Sequence, residues 1–311
     1  MTATLLLLLL LASHAHAHGF VSRISVNGQT FKGNTPNEPP DVKSIIRQIS
    51  DPAPVKGAAN PAVNCGTNAQ LAATAASVQP GDTMHFFWVS EDPTILSWPH
   101  NTGPMLAYMT KCDDADCTTF NSSSAQWFKI HEEGRIPGNK DGNWTQNLIF
   151  DHGDVPANVT LPPTLAPGAY LIRAEIIALQ NAATVFPGHP ADALAGAEFY
   201  PSCAQLVVGG NETGAPSADE LVLLPGAYTD TEPGILIDPY DNIGTPYPFP
   251  GPPVAKFAAA SAASSSTASS APKPTSTGSC KKKRRNAPRP PNRAVLPQGP
   301  IDPELAWGYM N

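Results

Sequence analysis

His18 follows Ala15-His16-Ala17, a small-x-small segment that closes an apolar run from Leu5 to Leu11. A processing cut after Ala17 makes His18 a free N-terminus. One residue then offers two nitrogen ligands, its α-amine and a ring nitrogen. The α-amine has a reference pKa of about 8, so a metal displaces its proton readily. One further imidazole completes a T-shaped set of three nitrogens. That tetragonal, nitrogen-rich geometry favours Cu(II), which also heads the divalent affinity series. A second small-x-small site overlaps the first, with Ser13 and Ala15 in the small positions. A cut there leaves His16-Ala17-His18, which wraps Cu(II) in the amine, two deprotonated amides and an imidazole. Such a square-planar cage resists reduction, so the choice between the two cuts decides between redox-active and inert copper.

The leucine run is shorter than the roughly 20 residues that span a bilayer and fits the core of an export signal over residues 1–17. Its first residues lack Lys and Arg, a departure from the usual signal. No later stretch has the length and apolarity of a membrane anchor, so the protein is expected to be released outside the cell. Four Asn-x-Ser/Thr sites, Asn121, Asn143, Asn158 and Asn211, suit the same route as glycosylation acceptors. The five cysteines are Cys65, Cys112, Cys117, Cys203 and Cys280. In an oxidising compartment four can form two bridges, in any of three pairings. Cys112 and Cys117 flank the polar segment Asp113–Asp116 and suit a local loop bridge, which leaves Cys65 with Cys203. Cys280 stands apart and is expected to be free or bonded between molecules.

Composition divides the chain near Phe257. Residues 258–279 are mostly Ala, Ser, Thr and Pro, followed by the basic run Lys281–Arg285 and a Pro-rich end. Such a segment cannot bury a core, so residues 257–311 are expected to be a disordered tail. From Phe257 onward 8 Lys and Arg face 2 Asp and Glu, a net of +6; with −7 over the full chain, residues 1–256 carry −13. The basic run is either a solvated tail or an adhesive for an acidic surface.

Residues 18–256 are long enough for one large domain. Strand-like runs recur at Phe20–Val26, Thr83–Val89, Met105–Met109, Ala169–Leu179 and Ala204–Val208, most of them bounded by turn residues. No long stretch keeps a helical period. Short strands with Pro- and Gly-rich connections indicate an all-β antiparallel sandwich or barrel. The chain has no phosphate-cradling Gly-rich loop, no Cys-x-x-Cys pair, no His-Glu-x-x-His and no nucleic-acid module.

Several ordered motifs are shared with one family. His18-Gly-Phe-Val-Ser-Arg-Ile-Ser-Val-Asn-Gly28 resembles the start of the fungal lytic polysaccharide monooxygenases of auxiliary activity family 9. Trp98-Pro-His-Asn-Thr-Gly-Pro-Met-Leu-Ala-Tyr-Met109 is similar to the part that supplies their second copper histidine, here His100. Tyr170–Leu179 resembles their Arg-x-Glu-Ile-Ile-Ala-Leu strand. Gly196-Ala-Glu-Phe-Tyr-Pro-Ser-Cys203 resembles the segment with their axial tyrosine, here Tyr200. Gly226–Ile235 is similar to their closing segment. The resemblance covers roughly residues 18–253. It implies an immunoglobulin/fibronectin-like β-sandwich with long loops, one copper held by His18 and His100 on a flat face, and the bridges Cys65–Cys203 and Cys112–Cys117. It implies oxidative cleavage of cellulose or a related β-linked polysaccharide, at C1 and/or C4. The other reactants are an external electron donor, a small reductant or a redox enzyme, and O2 or H2O2. The enzyme is expected to be a monomer.

Two positions depart from the pattern. Gln180 stands where the family has His, and Glu198 where it has Gln. Strand alternation puts Glu198 and Tyr200 on one face. A carboxylate there can take up and return a proton, whereas Gln180 can only donate a hydrogen bond. The expected arrangement makes Glu198 the proton-handling group; the alternative is a copper-binding or wall-binding protein with little turnover. His189 is read as a solvated loop residue, His85 as structural, His131 and His152 as loop residues. Tyr240 and Tyr247, in the Pro-rich close of the domain, are candidates for stacking on sugar rings.

Overall fold

A computed structural model of the chain describes residues 18–92, 96–139, 143–150, 152–182, 196–241 and 243–259. The leader with its two cleavage sites, His189, the basic run and Cys280 lie outside the described residues.

The chain forms β1 (Gly19–Val26), β2 (Gln29–Lys32), β3 (Ala76–Val78), β4 (Thr83–Ser90), β5 (Met105–Lys111), β6 (Gln126–Glu133), β7 (Ala157–Thr160), β8 (Gly168–Ala178), β9 (Glu198–Val208) and β10 (Val222–Leu223). They make two sheets, ordered β2-β1-β4-β7 and β10-β6-β5-β8-β9-β3. The pairing is antiparallel except that β3 runs parallel to β9. The β1–β2 turn is Asn27-Gly28, with φ of 52° and 75°, the backbone that a two-residue hairpin needs.

The sheets differ in what covers them. β4 alternates buried and part-exposed residues, sending Met84, Phe86 and Trp88 into the space between the sheets. β5, β8 and β9 are buried on both faces. Met105, Ala107 and Met109 of β5, Ile172 and Ile176 of β8, and Tyr200 and Leu206 of β9 join that inner core. Leu106, Tyr108, Leu171, Phe199 and Cys203 point the other way, into a second core roofed by loops. That outer core holds a buried ion pair. Arg173 donates to both carboxylate oxygens of Glu175 and to Val63 O, and Tyr228 Oη donates to Glu175 Oε2 at 2.8 Å. Each charge is met by opposite charge and hydrogen bonds, the condition under which burial is tolerated. The bridges are Cys65–Cys203 and Cys112–Cys117, with Cα separations of 5.3 and 5.5 Å.

Packing runs past the compositional boundary. The Phe257 ring sits 5.7 Å from that of Phe128, and Ala258 is buried in the turn that closes at Ala259. A truncation therefore belongs after Ala259. Removing residues 260–311 is expected to leave the thermal midpoint within about 2 °C, since their composition supports no core. A cut before Phe257 is expected to lower it by several degrees. Differential scanning calorimetry compares the two, and an equal loss from both would show that the tail packs on the domain.

Candidate metal centre

The centre is assembled at one end of the inner core. In the smaller sheet, β1 begins at Gly19, opposite Ser90 of β4. Glu91 N–H donates to His18 O at 2.9 Å, and Gly19 N–H donates to Pro52 O at 3.3 Å. Ser90 N–H donates to Ser97 O, folding the chain back so that Trp98 and His100 return to the start of β1. A Cβ on residue 19 would lie 2.3 Å from Val89 O and 2.7 Å from Trp98 Cζ3, so only glycine lets strand and indole approach this closely.

Trp98 is the shared wall of the site. It is fully buried, and its Nε1–H donates to Gln146 Oε1 at 3.3 Å. Its ring meets His100 edge-on at 5.4 Å and Tyr200 at 4.8 Å. These T-shaped contacts fix both rings against one rigid plane. His100 Nε2 then lies 3.1 Å from Tyr200 Oη, so the ring edge that a metal would use faces the phenol. His18 is 40% exposed at its side chain, and its Nδ1 lies 3.2 Å from Glu91 Oε1.

β9 supplies the acidic side. Glu198 and Tyr200 share a face, as strand alternation requires, and both are buried. Tyr200 Oη donates to Glu198 Oε2 at 3.2 Å, and Gln180 Nε2 donates to the same oxygen at 2.8 Å. His100 Nε2 is 3.6 Å from it. Lys56 Nζ takes the other oxygen, Oε1, at 3.1 Å. Burial first, and the Glu198 carboxylate next, push the Tyr200 hydroxyl far above the ordinary phenol range, so it stays neutral. Gln180 Oε1 is buried with no hydrogen-bond partner, an acceptor left open beside this network.

Thus His100, Tyr200, Glu198 and Gln180 form one contact network, with His18 at the same end through Gly19 and Trp98. Lys56 was not legible in the sequence. It reaches Glu198 because Val55 pairs with Phe199 across an isolated bridge, a contact with no local signal. Glu91 carries no local signal either, and Trp98 shows in the sequence only as the first residue of the motif that holds His100.

Tyr240 is 61% exposed and borders a shallow cleft of about 260 Å³ with Asn101 and Thr102, which directly follow His100. Tyr247 is corrected. It is buried against Trp144 and Phe249, and its hydroxyl donates to Gly234 O, so no sugar ring can stack on it. His131 is also corrected: it lies on β6, with Nε2 3.3 Å from Glu133. His85 is structural as expected, with Nδ1 2.6 Å from Asn158 Oδ1. Among the described residues the one tight trio of potential metal ligands is Cys112, Asp114 and Cys117, and its thiols form a disulfide. No helix among them is long and apolar enough to cross a membrane.

Comparison with known proteins identifies the family. Residues 18–247 match the family model of Auxiliary Activity family 9 (formerly GH61). The chain is 44% identical over 241 residues to the family 9 lytic polysaccharide monooxygenase D of Gloeophyllum trabeum, covering 78% of this chain and 65% of that protein. It is 35% identical over 247 residues to monooxygenase B of Malbranchea cinnamomea, covering 76% and 91%. The crystal structure of a cellulose-active polysaccharide monooxygenase from M. thermophila superposes with a TM-score of 0.64 at 31% identity, covering 77% of this chain and 99% of that one. The match spans just under two thirds of the G. trabeum protein's own length. A two-sheet sandwich, a buried His100 packed edge-on against Trp98, and a family match over residues 18–247 together place this chain in Auxiliary Activity family 9.

Proposed function

We propose that the protein is a secreted, copper-dependent monooxygenase that cleaves cellulose or a related β-linked polysaccharide oxidatively, at C1 and/or C4. The network joining His100, Tyr200 and Glu198 behind Gly19 and Trp98 carries this reading. The relatives' names and the cellulose-active structural neighbour support it.

The residues present fit copper. Two imidazoles and a neutral phenol make a nitrogen-rich donor set with one weak oxygen, a chemistry that suits copper. His18, with its ring and a freed α-amine, and His100 would hold the ion, and the Tyr200 hydroxyl beside His100 Nε2 would be the neighbouring oxygen. When bound, copper supplies the one-electron chemistry by which an external donor and O2 or H2O2 oxidise the carbon beside a glycosidic bond. The protein's own groups handle position and protons. Lys56 fixes Glu198 Oε1, leaving Oε2 as the atom that takes up and returns a proton. Gln180 and Tyr200 aim that oxygen by donating to it. Tyr240 offers an exposed ring to a pyranose at the rim of the flat face.

The direct test is release of oxidised oligosaccharides from cellulose by the mature protein with copper and a reductant. A copper-stripped control should release none; no release with copper would overturn the reading in favour of an inert secreted copper-binding protein. Glu198→Gln refines the test. It is expected to slow turnover about a hundredfold, the usual contribution of a general acid–base group. Copper affinity should stay within about tenfold, or roughly 1.4 kcal/mol. Product release and titration calorimetry measure the two effects, and unchanged turnover would remove the carboxylate from the mechanism.

A further inference from the structure

We propose that Asn121 carries an N-linked glycan whose first sugars lie in the cleft between residues 60–71 and 119–123, bracing the two loops beside the Cys65–Cys203 bridge. The cleft encloses about 770 Å³, inside the range of about 300–1,000 Å³ typical of ligand sites. It shares no residue with the candidate metal centre. Its exposed lining is uncharged. Asn68 and Gln70 present carboxamide oxygens while their amide nitrogens donate to Ser50 Oγ and Asn68 O, Thr119 Oγ1 donates to Asp114 Oδ2 and keeps lone pairs as an acceptor, and Leu71 and Phe120 add apolar surface. Leu71 is 51% exposed, an apolar side chain left at the rim of a polar cleft. The single charged member, Arg47, is buried; it donates to Phe120 O at 2.7 Å and to Ser122 Oγ at 3.2 Å, holding one wall in place. Neutral amides and hydroxyls beside apolar patches match a neutral, N-acetylated saccharide rather than an ion.

Asn121 sits in the wall itself. Its Oδ1 accepts from Ser123 N–H at 3.0 Å, capping the short 3-10 turn Ser122–Ser124. That leaves Nδ2 on the exposed side, and a glycosylated amide keeps Oδ1, so the cap survives modification. The covalent step takes a lipid-diphosphate-linked oligosaccharide as donor. Nδ2 forms a bond to the anomeric carbon, the bond from that carbon to the diphosphate oxygen breaks, and Nδ2 loses one proton. The other sequons lack such a bed. Asn158 lies on β7 with its carbonyl held by His85, Asn211 is in an exposed loop, and Asn143 borders the smaller cleft of Tyr240. Tethering matters because a covalently attached sugar meets the cleft at high effective concentration and needs little intrinsic affinity.

The proposal rests on the export reading, and the experiment separates the two. The full chain is secreted from a glycosylating host and compared with Ser123→Ala, which removes the sequon but keeps the Asn121 cap, and with Asn121→Gln. Glycopeptide mass spectrometry is expected to find Asn121 occupied. Amide exchange at residues 66–71 is expected to be about tenfold slower in the glycosylated protein than in either variant, with Asn211→Gln leaving it unchanged. An unmodified Asn121 with glycans elsewhere, or an occupied Asn121 with unaltered exchange, overturns this proposal alone. A chain without glycan at any sequon overturns it together with the export reading.

Discussion

His100→Ala is expected to abolish oxidised-product release and to lower Cu(II) affinity by at least about a thousandfold, roughly 4 kcal/mol. The substitution removes one of the two imidazoles that the described residues place there and leaves His18, part-exposed and beside Glu91, as the other. The loss should be chemical rather than structural. His100 is a modest side chain at the end of the inner core, and Trp98 stays anchored to Gln146 without it. Circular dichroism should therefore remain that of the native sandwich while titration calorimetry loses the tight copper site. His100→Gln, which keeps more of the side-chain volume, should behave the same way. Native copper affinity in both variants would remove His100 from the metal site.

Removing the Cys65–Cys203 bridge by paired alanine substitutions is expected to cost far more stability than removing Cys112–Cys117. The first pair is 138 residues apart and the second 5. Chain-entropy reasoning gives about 5 kcal/mol for the long closure and about 2 for the short one. For a domain of this size about 5 kcal/mol corresponds to a fall of roughly 10–20 °C in thermal midpoint. Both sulfurs of the long bridge are buried in the outer core, where Asn64 O also receives Arg173. Denaturant titrations of the two double variants measure the contrast. Equal losses would show that the bridges act through local packing rather than through the unfolded chain.

Much of this was visible in the sequence where one physical rule acted alone. Tyr170–Leu179 reads as a strand because its apolar residues are nearly continuous, and β8 is buried on both faces, which continuous apolarity signifies. Thr83–Val89 alternates and becomes a strand with one face in the core. β6 was missed because Gln126–Glu133 carries Lys129, His131, Glu132 and Glu133. Its Lys129 is nonetheless buried, donating to Glu132 and to Pro250 O, a pairing that tertiary structure alone provides. β3, β7 and β10 are too short to carry a period. At the metal centre the shared face of Glu198 and Tyr200 followed from alternation. The Lys56 contact did not, since it crosses 142 residues of chain. Tyr247 misled because a tyrosine among prolines has the same local sequence whether it faces solvent or is packed under a loop.

The seating of His18 bears on how such a protein is produced and judged. Its place in the sandwich is held through its own carbonyl and the N–H of Gly19. Neither bond consumes the nitrogen that a purification tag or an uncut leader would occupy. A preparation with extra residues ahead of His18 is therefore expected to fold and to melt at the normal temperature while lacking the free α-amine that the proposed copper site requires. Quality control by yield, gel filtration or melting curve is blind to that defect, whereas intact mass or the sequence of the first residue in the purified batch reveals it.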